Sequence, residues 1–224
     1  MSVSVKVLKV MVSLVIFSFV LLFAATDVGA SNKINNDLTI LDHLRSGGFI
    51  IYFRHGEATV GQDQPDLNLN DCRTQRNLSN RGKEQAQAIR EVFKRNPFPI
   101  QLPVITDPYC RAKDTADIIF GNKNVTVYPS LASIEKLKIE ALPAVEKQRI
   151  LSNLTKIFET PPARGTNTVI VAHTFPPNVA LGEIPNLGAV IIKPQGYGKG
   201  YEVVGRITPE ELIRWSNKSV RETS

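Results

Sequence analysis

Apolar residues in this chain fall into short runs separated by stretches with a helical repeat. Residues 49–53 (Phe49-Ile50-Ile51-Tyr52-Phe53), 103–106, 125–127 and 168–172 are compact apolar blocks that read as buried strands. Residues 189–192 and 201–207 read as two more, joined by a Gly-rich turn. Leu38, Leu41 and Leu44 share one face of a short helix that Gly47-Gly48 stops. Ser79 is a good N-cap for a helix with Ala86, Ile89, Val92 and Phe93 on one face, running to about Arg95 before Pro97 and Pro99 end it. Asp107-Pro108 turns into a helix that contains Arg111, Ala112, Thr115, Ala116 and Ile119, with Gly121 at its end. Further helices are predicted over 145–158 and from Pro209 onward. Residues 58–77 lack periodicity, are rich in Asp, Asn and Gln, and read as a loop. Strands alternating with helices predict an α/β protein, a three-layer α/β/α sandwich around a mainly parallel sheet.

The N-terminus follows another logic. Lys6 and Lys9 precede an apolar run from Val10 to Ala25, and Val28-Gly29-Ala30 places small residues just beyond it. This is the layout of a secretory signal peptide cleaved after Ala30. The alternative is an uncleaved anchor, but a spanning helix wants about 20 apolar residues and this run is shorter. No Cys follows the run to mark a lipoprotein. The expected mature chain is residues 31–224, one domain with no linker, periplasmic or secreted, and not inserted in a membrane.

Composition narrows the class. The 224 residues include 27 Lys+Arg against 21 Asp+Glu, two Cys and three His, with 42% hydrophobic residues. These fractions are those of a globular protein. Two Cys cannot build a disulfide scaffold or a Cys-rich zinc module. The net charge of +6 favours anionic ligands, but the basic residues are dispersed, which argues against nucleic acid. Export implies an oxidising compartment, where Cys72 and Cys110 can pair. That bond would close a loop worth about 4 kcal/mol on chain-entropy grounds; the alternative is two reduced, buried thiols.

Ligands of open α/β sheets bind at the carboxyl ends of the strands. The strand at 49–53 ends in Arg54-His55-Gly56, the one at 103–106 leads through Asp107-Pro108-Tyr109-Cys110 to Arg111, and the one at 168–172 ends in His173. Two His and two Arg therefore converge there. Zinc would need a third ligand, and Arg neighbours repel a cation. Arg forks match phosphate oxygens, so the site suits an anion.

Arg54-His55-Gly56-Glu57 after an apolar strand resembles the signature of the histidine phosphatase superfamily, the phosphoglycerate-mutase-like group. Asn77-Leu78-Ser79 with Gly82 and Gln85-Ala86, then Asp107 to Ala112 with Thr115-Ala116, then Gly165 to Thr168 leading to Ala172-His173 agree in order. The resemblance spans about residues 38–213 and points to a small exported bacterial branch. It implies a phosphoglycerate-mutase-like fold and a phosphomonoesterase with His55 as nucleophile, forming a phosphohistidine. Arg54, Arg111 and His173 would surround the phosphoryl group, with no metal or other cofactor required. Arg76 is a further phosphate-binding candidate and Arg73 a weaker one. Glu57 is a candidate for holding Arg54 or His55 in place. Tyr109 and His43 read as packing residues, and Cys110 not as a nucleophile.

The family's general acid has no obvious counterpart. His173 is followed by Thr174-Phe175-Pro176-Pro177, and Leu131-Ala132-Ser133 stands where mutase-like members carry Glu. Glu183 is the first candidate and Glu135 the second; the third option is no dedicated acid, which suits good leaving groups. The chain is too short for a large cap domain. The expectation is thus a monomeric, exported phosphomonoesterase acting on a small-molecule or glycan phosphate, such as a sugar or envelope-glycolipid phosphate. Rivals are a catalytically weak phosphate-ligand binding protein of the same fold, a phosphohistidine phosphatase and a phosphomutase.

Overall fold

The computed structural model describes residues 40–219. The expected leader, its cleavage point and Leu38 lie outside the described residues. Contacts divide the chain into Met1–Asp42 and His43–Ser224, and the second unit holds the whole sheet. Helix α1 runs through residues 40–46 and stops at Gly47, whose φ of 75° ends the helical path.

Six strands form the sheet: β1 (Ile50–Arg54), β2 (Ile100–Thr106), β3 (Val125–Val127), β4 (Asn167–Ala172), β5 (Ala189–Pro194) and β6 (Tyr201–Ile207). Their spatial order is β3-β2-β4-β1-β5-β6. The first four are parallel; β5 and β6 are antiparallel additions to the β1 edge. The main helices are α2 (Asn80–Arg95), α3 (Cys110–Phe120), α4 (Ala144–Phe158) and α5 (Pro209–Ser219). The mainly parallel α/β sheet expected from the sequence is therefore present.

Strand parity explains the layers. Ile50, Tyr52, Ile170, Ala172, Val190 and Ile192 point to one face, where they pack with Ile150, Leu154 and Phe158 of α4. Ile51, Phe53, Val169 and Val171 point to the other and are also buried. There Phe53 meets Phe93 of α2, which also meets Phe120 of α3. Both faces of the central strands are dry, which is why β1 and β4 read as continuous apolar runs rather than alternating ones.

Two differences from the sequence reading stand out. Strand β2 begins at Ile100, not at Pro103, and its register on β4 shifts between Gln101 and Ile105. Pro103 removes a ladder donor there, so its position reads as a strand start although the strand continues past it. A 3-10 helical segment, Pro129–Lys138, was not expected at all. It buries Leu131, Ile134 and Leu137 at a three-residue spacing rather than an α-helical stripe.

The entry to α2 is unusually close to the loop after β1. Ser79 caps the helix by accepting from the Gly82 amide (3.0 Å), and the Ser79 amide donates to the Glu57 carbonyl (2.9 Å). A Cβ on Gly82 would lie 2.1 Å from the Glu57 carbonyl oxygen. Gly82→Ala is expected to cost about 1–3 kcal/mol by overpacking. A denaturant midpoint equal to wild type would show that the close approach is dispensable.

Candidate active site

The strand order sets the site. β2, β4 and β1 are neighbours, and the chain leaves their carboxyl ends as Asp107, His173 and Arg54-His55. Arg111 joins them from the first turn of α3. His55, Arg111 and His173, with Asp107, are buried.

His55 is fixed by its own backbone. Its amide donates to the Ala172 carbonyl (2.9 Å), and its carbonyl accepts from Leu187 (3.3 Å), a non-glycine residue at φ 56°. The ring nitrogen Nδ1 lies 2.6 Å from the Gly56 carbonyl oxygen. A carbonyl only accepts, so Nδ1 carries the proton and the Nε2 lone pair is free. Burial, and then the adjacent His173, push the His55 pKa well below its ordinary value. The Gly56 amide donates to Thr115 Oγ1 (3.0 Å), tying this corner to α3.

Arg111 is wholly buried. Its Nε donates to His173 Nε2 (3.0 Å), and Nη1 and Nη2 reach the two carboxylate oxygens of Asp63 at 2.9 and 3.3 Å. Its guanidinium carbon lies 4.3 Å from the Tyr109 ring centroid, a cation–π contact. Burial pushes Asp63 up, but the Arg76 amide and Arg111 outweigh it and hold its carboxyl below the usual range.

His173 lies edge-on to His55, ring centroids 4.8 Å apart. Its Nδ1 is 2.5 Å from Asp107 Oδ2, and its carbonyl accepts from the Tyr52 hydroxyl (2.6 Å). Burial pushes its pKa down to about 3, against the pull of Glu135. Burial pushes Asp107 the other way, up to about 7.

Arg54 donates from Nη1 to the Ile184 carbonyl (2.9 Å), while its Nε is buried without a hydrogen-bond partner, as is Arg76 Nε. Two unmatched guanidinium donors beside two neutral imidazoles are what an anion with several oxygens would satisfy. Among the described residues, no group of three or more His, Cys, Asp or Glu is placed to hold a metal ion.

The structure thus brings together Arg54, His55, Arg111 and His173, with Arg76 beside them. It does not bring Glu183 in. That side chain is exposed, its carbonyl faces Arg206, and its charge reaches Arg54 less strongly than that of Glu135. Glu135 stands 3.7 Å from His173 Nε2 and 3.9 Å from Arg111 Nη2, and is held by Lys138. The reason is the unforeseen 3-10 segment, which carries residue 135 over the carboxyl edge. Glu57 does not hold Arg54 or His55; it accepts from Ser79 Oγ (2.8 Å) and faces Arg81. Arg73 is exposed and paired with Asp71, so it belongs to the solvated loop. Tyr109 packs against His173 and His43 stacks on Phe49, as expected of packing residues.

The sequence pattern gives Asp107 only as part of the turn and motif leading into α3, and does not mark Asp63. Asp63 lies in an aperiodic loop, and nothing local marks it. Asp107 reads as a turn residue before Pro108; its position at a strand end was the available signal. Cys72 and Cys110 are bonded, with Cα atoms 5.7 Å apart. The bond ties the Asp63 loop to α3 one residue before Arg111.

The sequence profile of the histidine phosphatase superfamily (branch 1) matches residues 50–165, a little over half of the chain. No curated protein matches significantly. Among solved structures, a mutant phosphoserine phosphatase of Entamoeba histolytica bound to phosphoserine is 15% identical, with TM-score 0.46 over 73% of this chain and 98% of that one. The alpha-ribazole phosphatase of Shigella flexneri is 13% identical, with TM-score 0.47 over 72% and 96%. The protein histidine phosphatase SixA with tungstate is 13% identical, with TM-score 0.45 over 73% and 99%. The α/β sheet with two His and two Arg at its carboxyl edge gathers the groups that phosphoryl chemistry uses. The chain belongs to the histidine phosphatase superfamily.

The depressed pKa values have a testable sign. Burial disfavours the imidazolium, so His55 and His173 are neutral at pH 6.5 and take up protons only below it. Histidine ring signals followed by NMR are expected to show neither residue titrating near 6.5. A midpoint at 6.5 for either would contradict the dry pocket.

Proposed function

We propose that the protein is a metal-independent phosphomonoesterase that works through a phosphohistidine on His55. The observation that carries this reading is the free Nε2 of His55, with Nδ1 committed to Gly56, inside a cluster of Arg54, Arg111 and His173. Nε2 attacks phosphorus, the P–O bond to the leaving group breaks, and the leaving oxygen takes the proton of the bound phosphate monoanion, relayed through the Glu135 carboxylate. Water then attacks the phosphohistidine, its proton passes through Glu135 to the departing phosphate, and His55 is restored. The two arginines stabilise the equatorial oxygens from largely buried positions, where fixed charge acts more strongly than in bulk water. Arg76 supplies a third cation at the mouth.

Glu135 takes the role first expected of Glu183, because it is the carboxylate near His173 Nε2 that is partly open to solvent. The substrate class this reading favours is a phosphomonoester of a small molecule or glycan, such as a sugar or glycolipid phosphate. Export belongs to the same reading. The Cys72–Cys110 bond supports an oxidising compartment, and the Lys-then-apolar N-terminus supports a route to it.

One observation favours a second reading. Asp63 fills the Arg111 fork with two carboxylate oxygens, as a phosphate would. A protein that kept this contact would bind phosphate ligands weakly and turn over little.

Phosphate release from an aryl phosphate, with EDTA present, separates the two. Wild type is expected to hydrolyse it and His55→Ala to lose activity with its fold intact; equal rates in both would remove the nucleophile assignment. Glu135→Gln is expected to lose about 10²-fold or more on alkyl phosphates and far less on aryl phosphates, whose leaving groups need little proton donation. An equal loss on both would deny Glu135 the proton-donor role.

A further inference from the structure

We propose that Asp107 is a positioning residue for this reaction: its carboxylate holds His173 in the Nδ1–H tautomer, and His173 in turn sets the plane of the Arg111 guanidinium. The inference rests on the reading of His55 as the phosphoryl acceptor.

The proton positions follow from donor and acceptor chemistry. Arg111 has donors and no acceptor, so its Nε–H at 3.0 Å requires an unprotonated His173 Nε2. The one proton of the neutral ring then sits on Nδ1, facing Asp107 Oδ2 at 2.5 Å. Asp107 must accept it, which makes the carboxylate the ionised partner. Its other oxygen, Oδ1, accepts from the Tyr109 amide at 2.9 Å. Both oxygens of this fully buried group are therefore matched, as a buried carboxylate demands.

The chain of contacts leads to the phosphate fork. Asp107 fixes the proton, the proton fixes which nitrogen of His173 is the acceptor, and that acceptor holds Arg111 Nε. The remaining donors of Arg111, on Nη1 and Nη2, then point to one side, where Asp63 now sits. The Tyr52 hydroxyl on the His173 carbonyl keeps the backbone from drifting, so the tautomer is the remaining freedom. An Asx turn alone would need only Oδ1 on the Tyr109 amide. The inward Oδ2 is what the turn role leaves unexplained.

Asp107→Asn separates the turn contact from positioning. The Tyr109 amide still needs an acceptor, so the Asn oxygen stays in place of Oδ1 and its NH₂ faces His173 Nδ1. Nδ1 must then accept, the proton moves to Nε2, and Nε2–H meets Arg111 Nε–H donor to donor. The measurement is ¹⁵N NMR of the histidine rings of the free protein at pH 8, beside steady-state kinetics on an aryl phosphate. Wild type is expected to show His173 as Nδ1–H. Asp107→Asn is expected to show Nε2–H, with kcat reduced about 10²-fold or more, the scale for losing one preorganised donor. The proposal is overturned by Nε2–H in wild type, by a variant that keeps Nδ1–H, or by a flipped tautomer with unchanged kcat. The wild-type spectrum tests it even if the variant does not fold. Absence of His55-dependent hydrolysis in wild type would count against the phosphatase reading and leave the tautomer result standing on its own.

Discussion

A guanidinium taken wholly out of water must be matched on every side, and the surroundings of Arg111 answer that demand. Its Nε finds an imidazole nitrogen, its two terminal nitrogens find a carboxylate, and an aromatic ring covers one face. An unpaired cation here would be strongly destabilising. Each partner is itself held: His173 by Asp107, Asp63 by the Arg76 amide, and the helix that carries Arg111 by the disulfide at Cys110. The burial of one cation thus organises a loop, two strand ends and a helix start.

The same arrangement explains how neutral imidazoles coexist with several arginines. Positive neighbours and a dry environment both disfavour a charged ring, so His55 keeps its lone pair for chemistry. Asp63, Asp107 and Glu135 offset the positive charge without touching His55. Asp63 also shows that the fork has two possible occupants, an internal carboxylate or an external phosphoryl group. Their competition is a property of the loop tied down at Cys72.

Much of this was legible in the sequence because it rests on local pattern. Strands β1 and β4 are buried on both faces, so they appear as unbroken apolar runs, and the residues that follow them mark the carboxyl edge. Ser79 announces the start of α2, and Gly121 the end of α3. What was not legible depended on elements without a strong period. The 3-10 segment at 129–138 has no helical stripe, so the position of Glu135 could not be read, and Glu183 stood in for it. Asp63 lies in a polar loop where many carboxylates look alike.

The sequence by itself determined the alternation of strands and helices, and with it the place where His55, His173, Arg54 and Arg111 would meet. Those are consequences of periodicity and of the rule that ligands sit beyond strand ends. Only the tertiary structure decided which carboxylates join them. Asp63, Asp107 and Glu135 come from a loop, a strand end and a 3-10 turn that are distant in the chain. Their roles are set by hydrogen-bond partners across the fold, and a partner reached through space leaves no local trace in the sequence.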